Sequence, residues 1–556
     1  MTDGAELRPA YDDVVAGFTL DAEEQRLAGD LATSLNAAVE SCDRHCGTGR
    51  VALRCIDAQE NLATYTFEDL RDMSARVANV LRDQGVGPGD AVAGLLPRTV
   101  DLVALILGTW RIGAVYQPLF TAFGPKAIEH RLNMSQAALV VTDPANRPKL
   151  DTVTDCPAVA VVAPEGSAIA PSDIDFKAKC SQADARFEPV MRRGNDLFLM
   201  MSTSGTTGLP KGVPVPLRAL LAFSSYMRHA VDLQPDDVFW NIADPGWAYG
   251  LYYAVTGPLL QGVATTLFKG GFNAESTYRI IKRLGVTSLA GSPTAFRLLI
   301  AAGPEAAEAV KGQLRVVSSA GEPLNPEVIR WFAEYLDVTI HDHYGQTELG
   351  MCVNNHHGLE HQVRPGSAGL AMPGYRVAVL DTQNNELGVH EPGVLAVDMA
   401  RSPLLWFSGY HEMETKAISG GYYRTGDMVE LEEDGSISFV GRDDDVITSS
   451  GYRIGPFDVE SALLEHPAVV ETAVIGVPDP ARTELVKAFV VLAKGHEGSP
   501  ALLEELTEHV KKRLSAHAYP RAIEFVPDLP KTPSGKIQRF LLRKAEVAKQ
   551  QAQEVS

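Results

Sequence analysis

The sequence predicts a multi-domain protein of the α/β class, and three observations support this fold class. The 556 residues exceed what one hydrophobic core usually supports, so two or three packing units are expected. Strand-like and helix-like apolar patterns alternate between residues 64 and 336, which is typical of parallel sheets covered by helices. After about residue 370 the strands become short and alternate in polarity between Asn, Gly and Asp turns, which predicts a β-rich subdomain.

The first elements follow from the period of their apolar residues. Alternation predicts a strand at 64–67, and helical spacing then continues through Leu81 until "GVGPGD" ends the helix. A buried strand is expected at 91–97, a helix at about 100–112 and a further strand at 137–143. This repetition indicates α/β units on a parallel sheet.

The same pattern resumes in the stretches 276–303 and 314–336, where apolar strands end in loops of small residues before a helix. Ligands of such folds gather at the carboxyl ends of the strands. We therefore expect the functional residues to lie in these loops.

Beyond Arg442 the pattern predicts a compact α+β unit of two strands and two helices. The charged run "GRDDD", residues 441–445, is interpreted as a hinge, although an ordinary exposed turn stays open on local sequence alone. The predicted division is an N-terminal domain at 1–441 with the β-rich part at about 370–441, a hinge at 442–445 and a C-terminal domain at 446–556.

Composition excludes several classes of protein. The formal charge is −20, from 50 Lys and Arg against 70 Asp and Glu, which argues against nucleic acid as a partner. The acidic N-terminus has neither the basic nor the apolar region of a secretory signal, so a cytoplasmic protein is expected. The most apolar long window is interrupted by Arg111 and several glycines, so we expect no membrane span.

Cysteine and histidine residues do not predict a metal site. The six cysteines are spread thinly, which suits reduced thiols better than a disulfide framework. Cys42, His45 and Cys46 lack a second ligand pair nearby, and "NNHHGLEH" lacks a Cys or acidic partner at ligand spacing.

The stretch "LMMSTSGTTGLPKGVPV", residues 199–215, places hydroxyls, glycines and one lysine after an apolar strand. Leu209 and Pro210 separate Gly208 from Lys211, so the spacing of a Walker P-loop is absent. The G-x-S-x-G pattern of a serine hydrolase is absent as well. Hydroxyl and amide donors with one cation suit a polyphosphate, while a plain turn remains the alternative.

Four further motifs occur in the same chain: "HDHYGQTELG" at 341–350, "YYRTGDM" at 422–428, "GRDDDVITSSGYRIGPFDVE" at 441–460 and "LPKTPSGKIQR" at 529–539. With the loop, they make the sequence resemble an acyl-CoA synthetase of the adenylate-forming superfamily, from about residue 30 to 545. Within that superfamily it is most similar to medium-chain acyl-CoA synthetases and acetyl-CoA synthetases.

The resemblance implies a large domain of two α/β sheets plus the β-rich subdomain, and a small C-terminal domain that rotates. It also implies ATP, Mg²⁺ and CoA as cofactors and cosubstrates. A carboxylate first attacks the α-phosphate of ATP to give acyl-AMP and pyrophosphate, and the thiol of CoA then displaces AMP. Because two anions meet in the first step, a cation is needed between them.

Residue roles carry over by motif. Lys536 resembles the catalytic lysine, Thr347 the residue near the α-phosphate and acyl carboxylate, and Glu348 the Mg²⁺ ligand. Without the motifs around them, Lys536 would be interpreted as a solvated surface lysine and Glu348 as a carboxylate at the start of a helix. The residues expected to bind ATP are Thr203, Ser204, Gly205, Thr206, Thr207, Gly208, Leu209, Pro210 and Lys211 at the phosphates, Gly321, Glu322, Pro323, Asp342, His343, Tyr344, Gly345 and Gln346 around adenine, and Asp427 and Arg442 at the ribose. Without its motif, Asp427 would be read as a turn residue.

The second half-reaction assigns other residues. Asp444 matches the hinge position, and the residues that resemble a CoA site are Ser450, Gly451, Tyr452, Arg453, Arg482 and Arg521. For Arg482 and Arg521 an ordinary surface position stays open.

The acyl pocket is expected at Trp247, Tyr249, Ala320 and Gly345. Acetyl-CoA synthetases have a Trp where this chain has Gly345, so a longer acid would fit, whereas Tyr249, Tyr252 and Tyr253 would refill the space.

The resulting hypothesis is a carboxylate–CoA ligase for a short- to medium-chain monocarboxylic acid such as acetate, propionate, butyrate or a longer acid. Two alternatives remain at this point: an adenylating enzyme that loads a carrier protein, and a non-catalytic nucleotide-binding protein on the same fold. The expected partner is a small carboxylic acid, with neither nucleic acid nor membrane, and the residues leave open whether the chain forms a homo-oligomer.

Overall fold

The structure is a computed structural model that describes residues 8–203, 210–442, 445–449, 452–479, 482–514, 518–532 and 536–554. It is a mixed α/β fold with four sheets, and the predicted fold class is confirmed. No helix in these ranges has both the length and the apolar character needed to cross a membrane.

The first part of the chain forms a seven-stranded sheet flanked by helices. The strands of this part are β1 Val51–Ile56, β2 Leu62–Thr66, β3 Ala91–Leu95, β4 Val115–Pro118, β5 Leu139–Thr142, β6 Ala158–Val161, β7 Ile174–Asp175, β8 Leu197–Thr203 and β9 Lys211–Pro216. Strands β3 to β9 form the seven-stranded sheet, whereas β1 and β2 belong to a small separate sheet. The helices of this part are α1 Tyr11–Ala16, α2 Leu20–Glu24, α3 Ala37–Ser41, α4 Phe67–Asp83, α5 Val100–Arg111, α6 Pro125–Ser135, α7 Phe176–Gln182 and α8 Ala219–His229.

The order of this sheet is β7-β6-β5-β3-β4-β8-β9, parallel throughout except for the β8–β9 hairpin. All residues of β3 are buried, as expected for a strand covered by helices on both faces. The helix after β2 starts with a capping box, in which Thr66 Oγ1 accepts from the Asp69 amide and Asp69 accepts from the Thr66 amide. The strands and helices predicted between residues 64 and 143 are confirmed.

The middle part contains the second large sheet. The strands of this part are β10 Phe239–Asn241, β11 Thr265–Phe268, β12 Ser288–Gly291, β13 Val316–Ala320, β14 Ile340–Gln346, β15 Gly350–Asn354, β16 Ser367–Ala371, β17 Val377–Leu380, β18 Gly393–Asp398, β19 Ile418–Ser419, β20 Tyr422–Leu431 and β21 Ile437–Arg442, and all of them except β11 belong to this sheet. The helices of this part are α9 Ala248–Gly250, α10 Gly257–Leu260, α11 Ala274–Leu284, α12 Pro293–Ala301, α13 Pro304–Glu308 and α14 Pro326–Leu336.

This eleven-stranded sheet changes character along its length. It runs β10-β12-β13-β14-β15-β16-β21-β20-β18-β17, with β19 beside β20, while β11 joins β1 and β2 in a small separate sheet. The strands from β10 to β14 are parallel, and those from β15 onward pair antiparallel. The antiparallel strands expected after about residue 370 are therefore present, and they continue the same sheet.

The last part forms a small α+β unit around its own five-stranded sheet, β23-β22-β25-β24 with β26 beside β25. Its elements are β22 Ile447–Ser449, β23 Tyr452–Ile454, β24 Val469–Asp479, β25 Thr483–Leu492 and β26 Ala522–Phe525, with α15 Pro456–Leu464, α16 Pro500–Arg513 and α17 Arg539–Glu554. Buried residues of α16, Leu506 and Val510, pack into the core of this unit.

Helix α15 also contacts the preceding part of the chain. Asn325, before α14, donates a hydrogen bond from Nδ2 to Ser461 Oγ at 2.8 Å. Glu465 at the end of α15 pairs with Arg330 at 3.5 Å. Asp445 pairs with Arg543 of α17 at 2.5 Å, so the short segment after β21 is tied to the C-terminal unit.

A group of histidines lies within β14 and just after β15. His341 and His357 stack with ring centroids 3.7 Å apart, and His343 lies 6.0 Å from His357. His357 is bonded through Nε2 to the Val317 carbonyl at 3.0 Å. Burial lowers the pKa of His341 to about 4 and that of His343 to about 3, and it lowers the pKa of His357 below its usual range as well. These imidazoles are therefore neutral at physiological pH.

Candidate active site

Strands β13 and β14 end beside each other and place several predicted residues at one edge of the large sheet. Ala320 ends β13 and is buried, and Gly321 follows with φ +98°, a conformation that favours glycine. Strand β14 runs through Asp342 to Gln346 and is followed by a turn that carries Thr347 and Glu348. This is the edge at which ligands of open α/β sheets bind.

Asp427 lies at the centre of the first hydrogen-bonded group. Its Oδ2 accepts from Tyr344 Oη at 2.5 Å and from Gln346 Nε2 at 2.9 Å, and its Oδ1 accepts from Arg442 Nη1 at 3.0 Å. The register of β20 and β21 sets Asp427 directly opposite Arg442. Asp427 is thus a buried strand residue, and the reading as an ordinary turn residue is wrong.

Glu348 lies at the centre of a second group. Its Oε1 accepts from Tyr410 Oη at 2.8 Å, and the Lys211 ammonium lies 4.6 Å from the centre of the Tyr410 ring. Burial raises the pKa of the Glu348 carboxyl, while Tyr410, Lys211 and Arg442 act in the opposite direction. Because Glu348 lies between two strands, the alternative of a carboxylate at a helix start is wrong.

This carboxylate fits a divalent cation. A hard ion such as Mg²⁺ takes one or two protein carboxylates and completes its shell with water and phosphate oxygens. Glu348 supplies one buried oxygen ligand whose desolvation a cation would offset. Within the described ranges, three potential ligands gather closely only at His390, Glu430 and Glu432, where Arg364 already pairs with Glu432 at 2.8 Å.

Hydrogen bonds and an ion pair hold the residues of the expected adenine wall. Asp342 Oδ2 accepts from the Leu324 amide at 3.3 Å, and burial raises the pKa of this carboxyl well above its usual range. His343 is bonded through Nδ1 to Tyr226 Oη at 2.7 Å. Glu322 accepts from Thr294 and pairs with Arg297 at 3.1 Å, and Pro323 leads to Leu324.

The expected acyl pocket lies along an unusual helical segment. Helices α9 and α10 are joined by a π-helical turn at Leu251–Thr256, where Thr256 Oγ1 donates to the Leu251 carbonyl at 2.8 Å. Single π-turns inside α-helices are frequent at functional sites. Tyr252 Oη donates to the Thr347 carbonyl at 3.0 Å, and Tyr253 Oη accepts from the Met351 amide at 3.0 Å, so both rings are held in place.

Trp247 and Gly345, also expected in the acyl pocket, have defined structural surroundings. Trp247 packs against Phe120 and Phe123, with ring centroids 5.7 and 5.3 Å apart. At Gly345 an added Cβ would lie 2.1 Å from the Gly350 carbonyl oxygen, so this backbone admits no side chain there. Gly345 therefore provides close approach of two strands.

Several expected residues lie elsewhere. Lys536 is exposed, its backbone pairs with Thr532, and no hydrogen bond or ion pair of the described residues joins it to Glu348 or Asp427. Arg482 lies in the turn between β24 and β25, and Arg521 stacks on Tyr519 at 3.9 Å. Ser204 to Leu209, Asp444, Ser450 and Gly451 lie outside the described residues, and only the backbone of Tyr452 and Arg453, in β23, is described.

Two residues of the site were not predicted from the sequence. Tyr410 joins Lys211 to Glu348, and Tyr423 Oη donates to Gln346 Oε1 at 3.0 Å. Tyr423 falls inside the "YYRTGDM" motif, so its position in the sequence could have indicated that it belongs to the site. Tyr410 follows a glycine just after the apolar run 404–407, in a segment that has no distinctive period, so the sequence offered little indication of its role.

Comparison with known proteins gives a consistent result. The family model described as "AMP-binding enzyme" matches residues 40–411, and "AMP-binding enzyme C-terminal domain" matches 458–536. The chain is 41% identical over 523 residues to the acetyl-coenzyme A synthetase of Bacillus subtilis (strain 168), covering 92% of this chain and 91% of the relative. It is similar to the crystal structure of Brucella canis acyl-CoA synthetase, with 70% identity, a TM-score of 0.81, and coverage of 98% of this chain and 100% of the other. It also resembles the anthranilate CoA ligase AuaEII solved with anthranoyl-AMP, with 26% identity, a TM-score of 0.84 and coverage of 92% and 97%.

Proposed function

The chain belongs to the family of AMP-binding enzymes, and from this premise we propose how its residues join a carboxylic acid to CoA. It is an AMP-forming acyl-CoA synthetase, an acid–thiol ligase that uses ATP, Mg²⁺ and CoA. The acid attacks the α-phosphate of ATP to form acyl-AMP and release pyrophosphate. The thiol of CoA then attacks the acyl carbon, and AMP leaves.

One observation supports the assignment of the site most directly. The groups around Asp427 and Glu348 are linked through residues 346–348, which follow one another at the end of β14. Gln346, which holds the carboxylate assigned to the ribose hydroxyls, and Glu348, the carboxylate assigned to the cation, thus lie on one short segment. This arrangement suits a nucleotide that bridges both.

We assign the ribose contact to Asp427 and Arg442. The pairing of Arg442 with Asp427 orients the carboxylate. Because Oδ2 already accepts from Tyr344 and Gln346, the further acceptor site for a ribose hydroxyl is on Oδ1. The wall of Asp342, His343, Tyr344 and the segment Gly321–Pro323 is assigned to adenine.

We assign the phosphates to the segment 203–211, with Lys211 as its cation, and the Mg²⁺ contact to Glu348. When bound, Mg²⁺ would neutralise part of the charge on the phosphate oxygens. Thr347 is assigned to the α-phosphate and the acyl carboxylate. Lys211 lies on the same side of the site as Glu348, which supports this arrangement of phosphate and cation.

Lys536 is assigned to the first chemical step, where its ammonium would stabilise charge as two anions meet. Lys536 is exposed, which supports the proposal that the C-terminal unit moves to bring it to the α-phosphate. We place the moving boundary at the hinge 442–445 with Asp444, between the domains 1–441 and 446–556. The separate five-stranded sheet of the C-terminal unit supports this division.

CoA is assigned to Ser450, Gly451, Tyr452, Arg453, Arg482 and Arg521. Arg521 and Lys511 lie on the ring of Tyr519 at 3.9 and 5.0 Å, which gives a half-buried aromatic ring with two cations. Such a group suits the phosphates of a nucleotide.

The substrate is proposed to be a short- to medium-chain monocarboxylic acid, accepted in the pocket of Trp247, Tyr249, Ala320 and Gly345. The reaction is proposed to occur in the cytoplasm. One methylene in an apolar pocket changes selectivity by about 1 to 3 kcal/mol, so neighbouring chain lengths should overlap.

A screen of pyrophosphate release tests the function, with acids from formate to decanoate and benzoate, each with and without CoA. We expect CoA-dependent turnover with one contiguous range of chain lengths. Release that needs a carrier protein instead of CoA would indicate carrier loading. If none of the acids leads to release of pyrophosphate, the proposal is contradicted.

A further inference from the structure

Helix α6 supports both strands of the hairpin that flanks the phosphate segment. Arg131 donates from Nε to Ser202 Oγ at 2.9 Å, at the end of β8. His130 is bonded through Nε2 to the carbonyl of Pro210 at 2.8 Å, just before β9. Met134 packs against Gly212, where an added Cβ would lie 3.0 Å from its sulfur. One face of α6 thus touches the chain on both sides of residues 203–209.

Arg131 is a buried charge without a counter-charge. Its relative exposure is 4%, its Nη1 donates to the Ala127 carbonyl at 2.8 Å, and its guanidinium lies 4.0 Å from the centre of the Phe123 ring. Within the described ranges no carboxylate lies at ion-pair distance from it. Burial lowers the pKa of Arg131 to about 10, so the side chain remains protonated at neutral pH.

Arg111 is a second buried arginine, and it is paired with a carboxylate. It is equally buried, at 2%, but its two terminal nitrogens donate to Asp43 at 2.5 and 2.8 Å. Buried charges are normally paired in this way because an unpaired one is costly. In the part of the chain described, Arg131 has no such carboxylate beside it. We therefore expect another anion to balance its charge.

A purely structural role does not account for the charge. The partners of Arg131 are a hydroxyl and a carbonyl, which a neutral amide side chain could also satisfy. A polyphosphate bound beside Thr203 and Lys211, the two described ends of the phosphate segment, would supply the missing negative charge. The relevant position is the end of β8, where Ser202 contacts Arg131 and Thr203 begins the phosphate segment.

We propose that Arg131 is a positioning residue for the β- and γ-phosphates of ATP and for the leaving pyrophosphate. It holds Ser202, and its unpaired buried charge attracts the phosphates, while His130 holds the other end of the segment at Pro210. This inference rests on the proposed function, since it concerns the same phosphate subsite.

The test compares R131Q and R131K with the wild type and with K126Q, which removes an exposed cation from the same helix. Thermal unfolding is measured without ligand and with inorganic pyrophosphate plus Mg²⁺. Without ligand, R131Q should unfold at the same or a higher temperature than the wild type, because a costly buried charge is removed. The stabilisation by pyrophosphate should be lost in R131Q, largely retained in R131K and unchanged in K126Q.

Kinetics complete the test. In R131Q the KM for ATP should rise about 10- to 100-fold, and the KM for the acid should stay within about 3-fold. Thioester formation from supplied acyl-AMP and CoA involves no pyrophosphate and should keep its rate.

Three results would overturn the inference. One is a pyrophosphate stabilisation that survives in R131Q. Another is R131K behaving like R131Q, which would show that the charge is not responsible, and this comparison holds even if R131Q folds poorly. The third is an equal loss of both half-reactions together with a lower unfolding temperature, which would indicate hairpin support alone. Failure of the proposed function is distinguishable, because the wild type would then release no pyrophosphate with any acid.

Discussion

Tyr410 is a residue whose importance appears only in the folded chain. Its hydroxyl orients Glu348 and its ring faces the Lys211 ammonium, so one side chain contacts both the expected metal ligand and the expected phosphate cation. Loss of the hydroxyl would leave the ring interaction intact, since a phenyl ring also attracts cations.

We expect Y410F to raise the Mg²⁺ concentration needed for half-maximal activity by about 10- to 100-fold, because hydrogen bonds to charged groups contribute about 1.5 to 3 kcal/mol. The stabilisation against unfolding by ATP with Mg²⁺ should fall, whereas that by ATP with a chelator should not. The matched control is Y422F, which removes a hydroxyl bonded to Glu386 on the exposed edge of β20. An unchanged Mg²⁺ requirement in Y410F would contradict this role.

Lys536 is exposed in this arrangement, so its assignment to the first chemical step needs its own test. K536A should slow acyl-AMP formation by about 100-fold or more, as expected for loss of a cation that stabilises developing charge. Thioester formation from supplied acyl-AMP should stay within about 3-fold of the wild type. K544A, an exposed lysine of α17, serves as the control. If K536A slows both half-reactions equally, the assignment is wrong.

At the scale of elements, the histidines of β14 and of the segment after β15 make the fold sensitive to acid. Their pKa values are lowered in the folded protein, so below about pH 6.5 the unfolded chain binds more protons than the folded one. Stability from these groups is complete above that pH and decreases as the pH falls towards about 4. Asp342 acts in the opposite direction, because its pKa is raised.

We expect H357Q, which keeps an N–H donor for the Val317 carbonyl, to lose less stability than the wild type between pH 7 and pH 5. The difference should reach up to ~1.4 kcal/mol per pH unit for one histidine. Urea unfolding at several pH values measures it, and H496Q, at an exposed histidine, should follow the wild type. Parallel curves for H357Q and the wild type would show that His357 does not titrate in this way.

The elements themselves were largely predictable from the sequence. Buried strands such as β3 and amphipathic helices such as α4 follow from apolar period and capping residues. The π-helical turn at Leu251–Thr256 did not follow, because six residues of mostly apolar character carry no period that separates it from an α-helix.

The site residues that belong to sequence motifs were predictable. Those that reach the site only through tertiary contacts were not. Asp427, Tyr344 and Gln346 belong to recognisable motifs, and the fold brings them together. Arg131 and Tyr410 reach the site from segments 71 residues from Ser202 and 62 residues from Glu348. No local pattern marks such partners, since only packing of distant segments creates the contact.

For the whole molecule, the contacts of α15 with α14 and with the residue before α14 hold the present arrangement. Asn325 and Ser461 lie within hydrogen-bond distance across this boundary, and Arg330 pairs with Glu465. If the C-terminal unit must move to deliver Lys536, fixing this contact should stop the first step.

We therefore expect an N325C/S461C double variant, closed by oxidation or by a short thiol cross-linker, to lose acyl-AMP formation by about 100-fold or more. Reduction of an oxidised pair should restore it. The single variants treated in the same way should stay active, which controls for the native cysteines. Full activity of the closed protein would show that Lys536 needs no such movement.

The π-helical turn also bears on how this protein could change its choice of acid. A π-turn holds one residue more than the corresponding α-helical turn, and each residue of an α-helix adds a rotation of about 100°. Loss of a single codon within Leu251–Thr256 would convert the turn to regular helix and swing Tyr249 around the axis relative to α10. The wall of the acyl pocket could thus be rebuilt by a change in length, even where Gly345 accepts no substitution.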